Sequence, residues 1–146
     1  MKISSKGEYA LRALIVLGQN RQHVVSIGEI AERTAVPVNY LEQILLQLKN
    51  HGFVKSKRGV YGGYTLSVPP ENIFIGEVVR KLEGPLAPMG CVSVSSYEPC
   101  LLENGCKLKP LWSLIRDTIA CVLDSITLDD VIKGNIKSVI GGMSLA

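Results

Sequence analysis

Three cysteines, Cys91, Cys100 and Cys106, lie close together in the segment CVSVSSYEPCLLENGC. Proline, glycine and serine interrupt this segment too often for regular structure, so we expect a loop. Thiolates are the preferred ligands of iron–sulfur clusters, and a loop can wrap several of them around one metal centre. The gaps of eight and five residues between the cysteines therefore predict a metal site, with an iron–sulfur cluster as the first candidate.

Other uses of these thiols stay open. Three cysteines and a carboxylate can also hold a structural zinc ion, and thiols can act as an oxidation switch without any metal. The apolar run at residues 10–17 is interrupted by Arg12, so we expect no secretory signal and a reducing, cytoplasmic setting. In that setting the four cysteines favour metal or redox chemistry over disulfides. Cys121, within a predicted helix, is expected to be a small buried hydrophobe.

The charge is distributed unevenly along the chain. Residues 1–58 carry nine Lys or Arg against four acids (9 − 4 = +5), whereas the rest carries seven against nine (7 − 9 = −2). A basic N-terminal part suits binding to phosphates of double-stranded DNA. No stretch reaches the roughly 20 apolar residues that a bilayer requires, so no membrane partner is expected.

The basic part has the pattern of a helix-turn-helix. Residues 5–20 show an apolar helical face, and Ser26 with Glu29 predicts a capping box that opens a second helix. After the turn at residues 35–37, Asn39 and Glu42 open a third helix, which Gly52 ends. One side of this helix is apolar and the other carries amides that suit adenine in a major groove, notably Asn39, Gln43 and Gln47.

A basic hairpin follows directly. The segment FVKSKRGVYGGYTLS shows two short alternating runs around a glycine-rich turn, with Lys55, Lys57 and Arg58 at its entry. A hairpin in this place predicts the wing of a winged helix, with Arg58 suited to a narrow minor groove. Taken alone, the third helix is explained equally well as a DNA-binding helix or as a surface helix without a partner, and the hairpin favours the first.

The C-terminal half is predicted to serve dimerisation. A helix near residues 75–83 precedes the cysteine loop, and the helix after Pro110 carries a stripe of Leu111, Ile115, Thr118 and Val122 that suits a second copy of the chain. The alternative is that this stripe packs on the chain's own N-terminal helix-turn-helix part.

We predict a mainly α fold with a β-hairpin wing. The chain is divided into a DNA-binding domain (1–83), a cluster loop (84–108), a dimerisation region (109–133) and a flexible tail (134–146).

Several phrases make the chain resemble a known family. The opening MKISSKGEYAL, the block YLEQILLQLKNHGFVKSKRGVYGGYTLS, the phrase IGEVVRKLEGP and the closing ITLDDVI resemble the IscR-like (Rrf-type) winged-helix iron–sulfur transcription regulators. The resemblance covers roughly residues 1–133. It implies a homodimeric regulator, usually a repressor, that binds a two-fold DNA operator and needs neither catalysis nor a small-molecule substrate. The DNA-contacting positions that it implies are Tyr40, Glu42, Gln43, Arg58, Gly59 and Tyr61, beside the Asn39, Gln47 and Lys57 named above.

The resemblance also bears on the metal ligands. It implies that Cys91, Cys100 and Cys106 hold the cluster, with a two-iron (2Fe–2S) form favoured over a four-iron (4Fe–4S) form. Where one branch of the family has a histidine ligand, this chain has Lys109, which cannot bind metal while protonated. Other branches use a carboxylate from the first helix of the partner subunit, and the matching residue here is Glu8. Some relatives lack cysteines altogether, so a clusterless regulator remains an alternative.

Overall fold

The chain folds around its first helix. Residues 2–141 are described in this computed structural model, except for the side chains of residues 138–140. Helix α1 (Ser5–Gln19) begins at Ser4, whose hydroxyl accepts a hydrogen bond from the Gly7 backbone N–H. Its alanine and leucine face is almost fully buried and packs against the helices and strand that follow. Burial of such a face from several sides supplies the main stabilisation of a small helical fold.

Helices α2 (Ile27–Thr34) and α3 (Val38–Asn50) form the predicted helix-turn-helix. Ser26 caps α2 by accepting the Glu29 N–H at 3.2 Å, but the Glu29 side chain pairs with Arg33 instead of completing the capping box. Ala35 makes the turn in the left-handed conformation (φ 57°). Helix α3 begins at Val38, one residue before the predicted Asn39, and Gly52 ends it with φ 83° as expected.

The predicted wing is present as an antiparallel hairpin. Strands β1 (Val54–Lys57) and β2 (Gly63–Leu66) pair with Val54 opposite Leu66. Val25 adds one bridge to Tyr64, which fixes the hairpin to the chain before α2. The fold class is therefore mainly α with a winged helix-turn-helix head, as the sequence predicted.

The second half returns to the same core. After a short 3-10 helix (Pro70–Asn72) come α4 (Ile75–Glu83), the loop with a 3-10 turn at Gly90–Val92, and α5 (Lys109–Ser125). Leu128, the first residue of α6 (Leu128–Lys133), and Ile126 just before it are buried with the head residues. The backbone N–H of Ile75 donates to Ile126, and that of Leu128 donates to Ile73. These bonds fix the end of α5 to the start of α4.

Two predictions for the C-terminal half need correction. Residues 136–141 were expected to be part of a loose tail, but they form helix α7 (Ile136–Gly141), and Ile136 packs against the core. Residues 142–146 of that predicted tail lie outside the described residues. The predicted stripe on α5 is also rotated, because Val122 packs against the core together with Ile119 and Leu123. The division of the chain into four segments stays a prediction.

Candidate nucleic-acid interface and cysteine loop

Helix α3 presents a polar face to solvent. Its apolar residues at i, i+3, i+4 and i+7 are buried, and they are Leu41, Ile44, Leu45 and Leu48. On the other side Asn39, Glu42 and Gln43 are exposed, and Gln47 is half-buried. The amides and the carboxylate are therefore accessible along one helix surface. Such a surface has the width and the donors and acceptors that a major groove accepts.

Tyr40 has a second role beside the one predicted for it. Its ring meets Tyr9 of α1 edge to face, with ring centroids 5.7 Å apart, and it is half-buried. This aromatic contact fixes the first turn of α3 on α1. At the other end of α3, the ammonium of Lys49 donates to the Ser56 hydroxyl of β1 at 2.8 Å. Helix α3 and the wing are thus held in one arrangement.

The tip of the wing is basic, exposed and tightly folded. Lys57, Arg58 and Gly59 are all exposed, and Tyr61 is 89% exposed. Gly59 has φ 112°, a conformation that L side chains rarely adopt. A Cβ on Gly62 would lie 2.4 Å from the Lys57 carbonyl oxygen, so this position has no space for a side chain. Glycine there lets the tip turn within a few residues and project Arg58 outward.

The cysteine loop is built from successive hydrogen-bonded turns. Cys91 lies in the 3-10 turn, and the backbone N–H of Glu98 returns to the Gly90 carbonyl at 3.0 Å. Further on, the Glu103 N–H donates to the Cys100 carbonyl and the Cys106 N–H donates to the Glu103 carbonyl, both at 3.1 Å. All three loop cysteines are free thiols; Cys91 and Cys106 are half-buried and Cys100 is exposed.

Glu103 lies at the centre of this loop, and sequence reasoning missed it. Its carboxylate accepts the Tyr97 hydroxyl at 2.5 Å and the Lys109 ammonium, and it lies 3.5 Å from the Cys100 backbone N–H. Its side chain is only 17% exposed. Hydrogen bonds from Lys109 and Tyr97 lower the pKa of Glu103, and the Glu103 carboxylate raises the pKa of Lys109 and of Tyr97. The equal spacing of Cys100, Glu103 and Cys106 was the available signal.

The side chains of this loop are of types that bind metals, but they are not arranged as a metal site. Three free thiols and a carboxylate already neutralised by a lysine ammonium are donors that iron accepts. Among the described residues, however, no three His, Cys, Asp or Glu side chains converge closely enough to hold a metal ion. Metal binding would therefore require the loop to close. Glu8, the predicted partner ligand, forms an ion pair with Arg12 on its own helix and is half exposed.

Helix α5 connects the loop to the head. Arg116 donates from Nη1 to the Val92 carbonyl at 2.7 Å, which holds the residue next to Cys91 against the helix. Arg80 of α4 and Asp124 of α5 form an ion pair through two hydrogen bonds, which raises the pKa of Arg80. Between these two arginines lies a cavity of about 250 Å³ that Leu86 and Ser93 also line. These contacts join the loop to α5 and α5 to α4.

One face of α5 is left uncovered by the part of the chain that the structure describes. Leu111, Leu114, Thr118 and Cys121 recur at i, i+3, i+7 and i+10 and are all exposed. The prediction that Cys121 is buried is wrong for the single chain, because α4 and the core take the opposite side, where Val122 lies. Leu114 is 56% exposed, and Leu108 just before the helix is 55% exposed. This open face shares Leu111 and Thr118 with the stripe that was predicted to bind a second copy, and has Leu114 and Cys121 in place of Ile115 and Val122.

Fold and surface together define a winged helix-turn-helix protein with a cysteine-bearing loop. A profile of the family described as "Rrf2: Iron-dependent Transcriptional regulator" matches residues 3–134. The chain therefore belongs to the Rrf2 family, the family that its sequence phrases resembled. It is a transcription regulator and not an enzyme. Within the described residues, no helix is both long and apolar enough to cross a membrane.

The relatives of this chain include transcription regulators with two different names, CymR and IscR. CymR of Bacillus subtilis is 41% identical over 132 residues, covering 90% of this chain and 89% of that protein. IscR of Aliivibrio salmonicida is 32% identical over 136 residues, covering 92% and 79%. Among solved structures, that of CymR, called the global cysteine regulator of B. subtilis, has a TM-score of 0.79 at 39% identity and covers 92% of this chain and 98% of its own. The T. potens IscR structure has a TM-score of 0.73 at 34% identity, covering 99% and 93%.

Proposed function

We propose that this regulator is a cytoplasmic homodimer that binds a two-fold DNA operator and acts as a repressor. Helix α3 enters the major groove, where Asn39, Glu42, Gln43 and Gln47 face the base edges. The wing follows the backbone and enters the adjacent minor groove with Arg58. Two heads related by a two-fold axis read half-sites about one helical turn apart, so their separation sets the affinity for a given operator.

We propose further that Cys91, Cys100 and Cys106 hold an iron–sulfur cluster, with the two-iron form favoured. When bound, such a cluster supplies a centre that oxidation or loss can change reversibly. The observation that carries this proposal is three free thiols on a loop held against α5 by Arg116. Because Arg80 and Asp124 join α5 to α4, closing or opening the loop shifts α5 and with it the spacing of the two heads. The sequence prediction that Glu8 of the partner subunit is the fourth ligand stays a prediction.

The experiment is to purify the full chain without oxygen and measure its visible spectrum, iron and acid-labile sulfide. We expect visible absorbance with near-equal iron and sulfide, and the count per subunit distinguishes the two-iron from the four-iron form. The variant Cys100→Ser should lose the visible absorbance. The matched control is Cys121→Ser, which changes the cysteine outside the loop and should keep the absorbance. Operator binding is then compared with and without the cluster.

A second candidate is a regulator switched by its thiols without metal. The specific observation that favours it is the separation of the loop cysteines, which form no converged metal site among the described residues. The B. subtilis CymR named as a cysteine regulator agrees with this reading, as does Staphylococcus aureus CymR, which was solved in an oxidised form. A colourless protein without sulfide after anaerobic reconstitution, whose DNA binding responds to oxidant and recovers with reductant, would support it over the cluster. Zinc in place of iron and sulfide would instead support a structural metal site.

A further inference from the structure

Leu46 is an apolar residue on the polar side of helix α3. Its side chain is 57% exposed, and it stands apart from the buried side of the helix, which consists of Leu41, Ile44, Leu45 and Leu48. Successive residues of an α-helix are about 100° apart around the axis, so Leu46 lies about 150° from the middle of that buried side. It therefore points away from the core, toward the surface assigned to the major groove.

The neighbours of Leu46 on this surface are polar. Glu42 and Gln43 precede it by about one turn and Asn50 follows it by about one turn, and all three are exposed. Residues three or four apart share one side of a helix, so these side chains surround that of Leu46. A single leucine among them is too small a patch for a protein partner, because specific protein interfaces bury about 800 Å² on each side. It matches instead a polar surface that carries one apolar group.

The major groove offers one such group, the C5-methyl of thymine. Guanine, adenine and cytosine present hydrogen-bond acceptors or donors there and no methyl group. Leucine has neither a donor nor an acceptor, so against those bases it would cover polar groups without a hydrogen bond, which is unfavourable. Contact with the methyl group removes apolar surface of both partners from water. Thymine is therefore the base that complements Leu46.

Helix α3 is held at both ends, which fixes the place of Leu46 along the groove. The Tyr40 ring meets Tyr9 near the start of the helix, and Lys49 donates to Ser56 near its end. One helical turn advances about 5.4 Å, and successive base pairs are about 3.4 Å apart. For a helix that lies along the groove, a residue one turn further on therefore reaches a base pair one or two steps away.

We propose that Leu46 is a specificity-determining residue that selects thymine at one position of each half-site through the C5-methyl group. The inference rests on the proposed function, in which α3 enters the major groove. The selected thymine lies within about two base pairs of the position that Glu42 restricts. Because the contact involves no charge, the preference for thymine persists at salt concentrations that weaken the phosphate contacts.

The experiment removes only the methyl group from the DNA. The full-length protein first selects its preferred duplex from a random DNA library. Each thymine of that duplex is then replaced in turn by deoxyuridine, which keeps the O4 acceptor and the base pair, and the affinities are measured by fluorescence anisotropy. We expect a loss of affinity of about fourfold at one thymine of each half-site, the effect of one methyl group that is no longer buried. The other thymines should tolerate the replacement.

Three variants assign this loss to Leu46. Leu46→Ala should bind the thymine and deoxyuridine duplexes with affinities within about twofold of each other, because the methyl group then has no apolar partner. Leu46→Met keeps an apolar side chain of similar volume and should keep the preference for thymine. The matched control is Leu101→Ala, at a fully exposed leucine of the cysteine loop, which should keep the wild-type ratio of affinities. Circular dichroism checks that each variant is folded.

The other outcomes overturn the inference or the function on which it rests. If wild type selects a sequence but tolerates deoxyuridine at every thymine, Leu46 reads no methyl group, while DNA binding itself stands. If Leu46→Ala keeps the full preference for thymine, another residue reads the methyl group and the assignment is wrong. If Leu46→Ala changes the oligomeric state and leaves the ratio unchanged, Leu46 belongs to a protein contact instead. If wild type selects no sequence at all, the proposed function is refuted and the inference with it.

Discussion

Arg80 and Asp124 face each other across the α4–α5 contact and form two hydrogen bonds, of 2.6 Å from Nη1 and 2.8 Å from Nη2. A two-bond pair of this kind fixes direction as well as distance, which an exposed single bond does not. Gly76, one turn before Arg80, leaves room for the pair, since a Cβ there would lie 2.0 Å from Asp124 Oδ1. The present geometry of this ion pair therefore requires a glycine at position 76.

Gly76→Ala should displace Asp124 and loosen α5 from α4. Relative to a helical Gly→Ala without a clash, we expect a loss of up to about 1 kcal/mol in the free energy of unfolding, measured by urea denaturation, because the displaced ion pair is half exposed. Gly28→Ala is the matched control, because no atom lies within 4 Å of a Cβ at that helical glycine. The control should be neutral or stabilising by up to about 1 kcal/mol. Equal stabilities of the two variants would contradict the role given to Gly76.

The basic wing predicts a change in the salt dependence of DNA binding. Lys57→Ala should weaken binding to all DNA sequences similarly and reduce the slope of log K against log salt by about 1, because one phosphate contact is lost. The measurement is fluorescence anisotropy at several salt concentrations. Lys81→Ala, at an exposed lysine of α4, should leave the slope unchanged. A slope that Lys57→Ala does not alter would exclude the wing from phosphate binding.

Glu42 is exposed on the face of α3 assigned to base reading. A carboxylate near DNA repels phosphate unless it accepts a hydrogen bond from cytosine N4, so it restricts the sequences that can be bound. Glu42→Ala should therefore broaden the set of sequences recovered from a random DNA library. Glu32→Ala, at an exposed residue of α2, serves as the control. An identical set of sequences for Glu42→Ala and wild type would count against this reading.

The open face of α5 predicts a dimer that a single charge can disrupt. Leu114→Glu should convert the dimer to monomer in sedimentation velocity experiments, because a buried, unpaired carboxylate is costly in an apolar interface. Leu46→Glu is a close control: Leu46 on α3 is 57% exposed and Leu114 is 56% exposed. The control should stay dimeric. A monomer from both variants, or from neither, would remove α5 as the interface.

Asp129 predicts an acid-sensitive component of stability. Hydrogen bonds and charge from Lys133, and then from Arg21, lower the pKa of Asp129 below its unfolded value. Its stabilisation is therefore complete above about pH 5, begins to decline near the unfolded pKa, and is lost as the pH falls through the folded pKa. Asp129→Asn should flatten the decline of thermal stability over that range. Asp117→Asn, whose carboxylate is 64% exposed, should have a smaller effect because solvent screens its pair with Arg116. A decline as steep in Asp129→Asn as in wild type would refute the assignment.

The sequence by itself determined the local elements of this protein. The spacing of Leu41, Ile44 and Leu48 gave the buried face of α3, and the positive-φ requirement placed Gly52 at its end. The basic, glycine-rich run after α3 gave the wing. These features follow from short-range rules of helix period, capping and turn geometry, which act within a few residues. The three loop cysteines were equally visible, because their clustering needs no knowledge of the fold.

Only the tertiary structure decided which side of α5 is open and which group organises the cysteine loop. The spacing of apolar residues shows which residues of a helix share one side. Which side of α5 turns inward is set by the elements that pack against it, so Val122 faces the core and Cys121 faces solvent. The approach of Lys109 to Glu103 spans six residues and depends on the irregular path of the loop. The approach of Arg80 to Asp124 over 44 residues depends on how distant segments pack. Long-range pairs of this kind arise from the packing of one shared core, which local sequence periodicity does not specify.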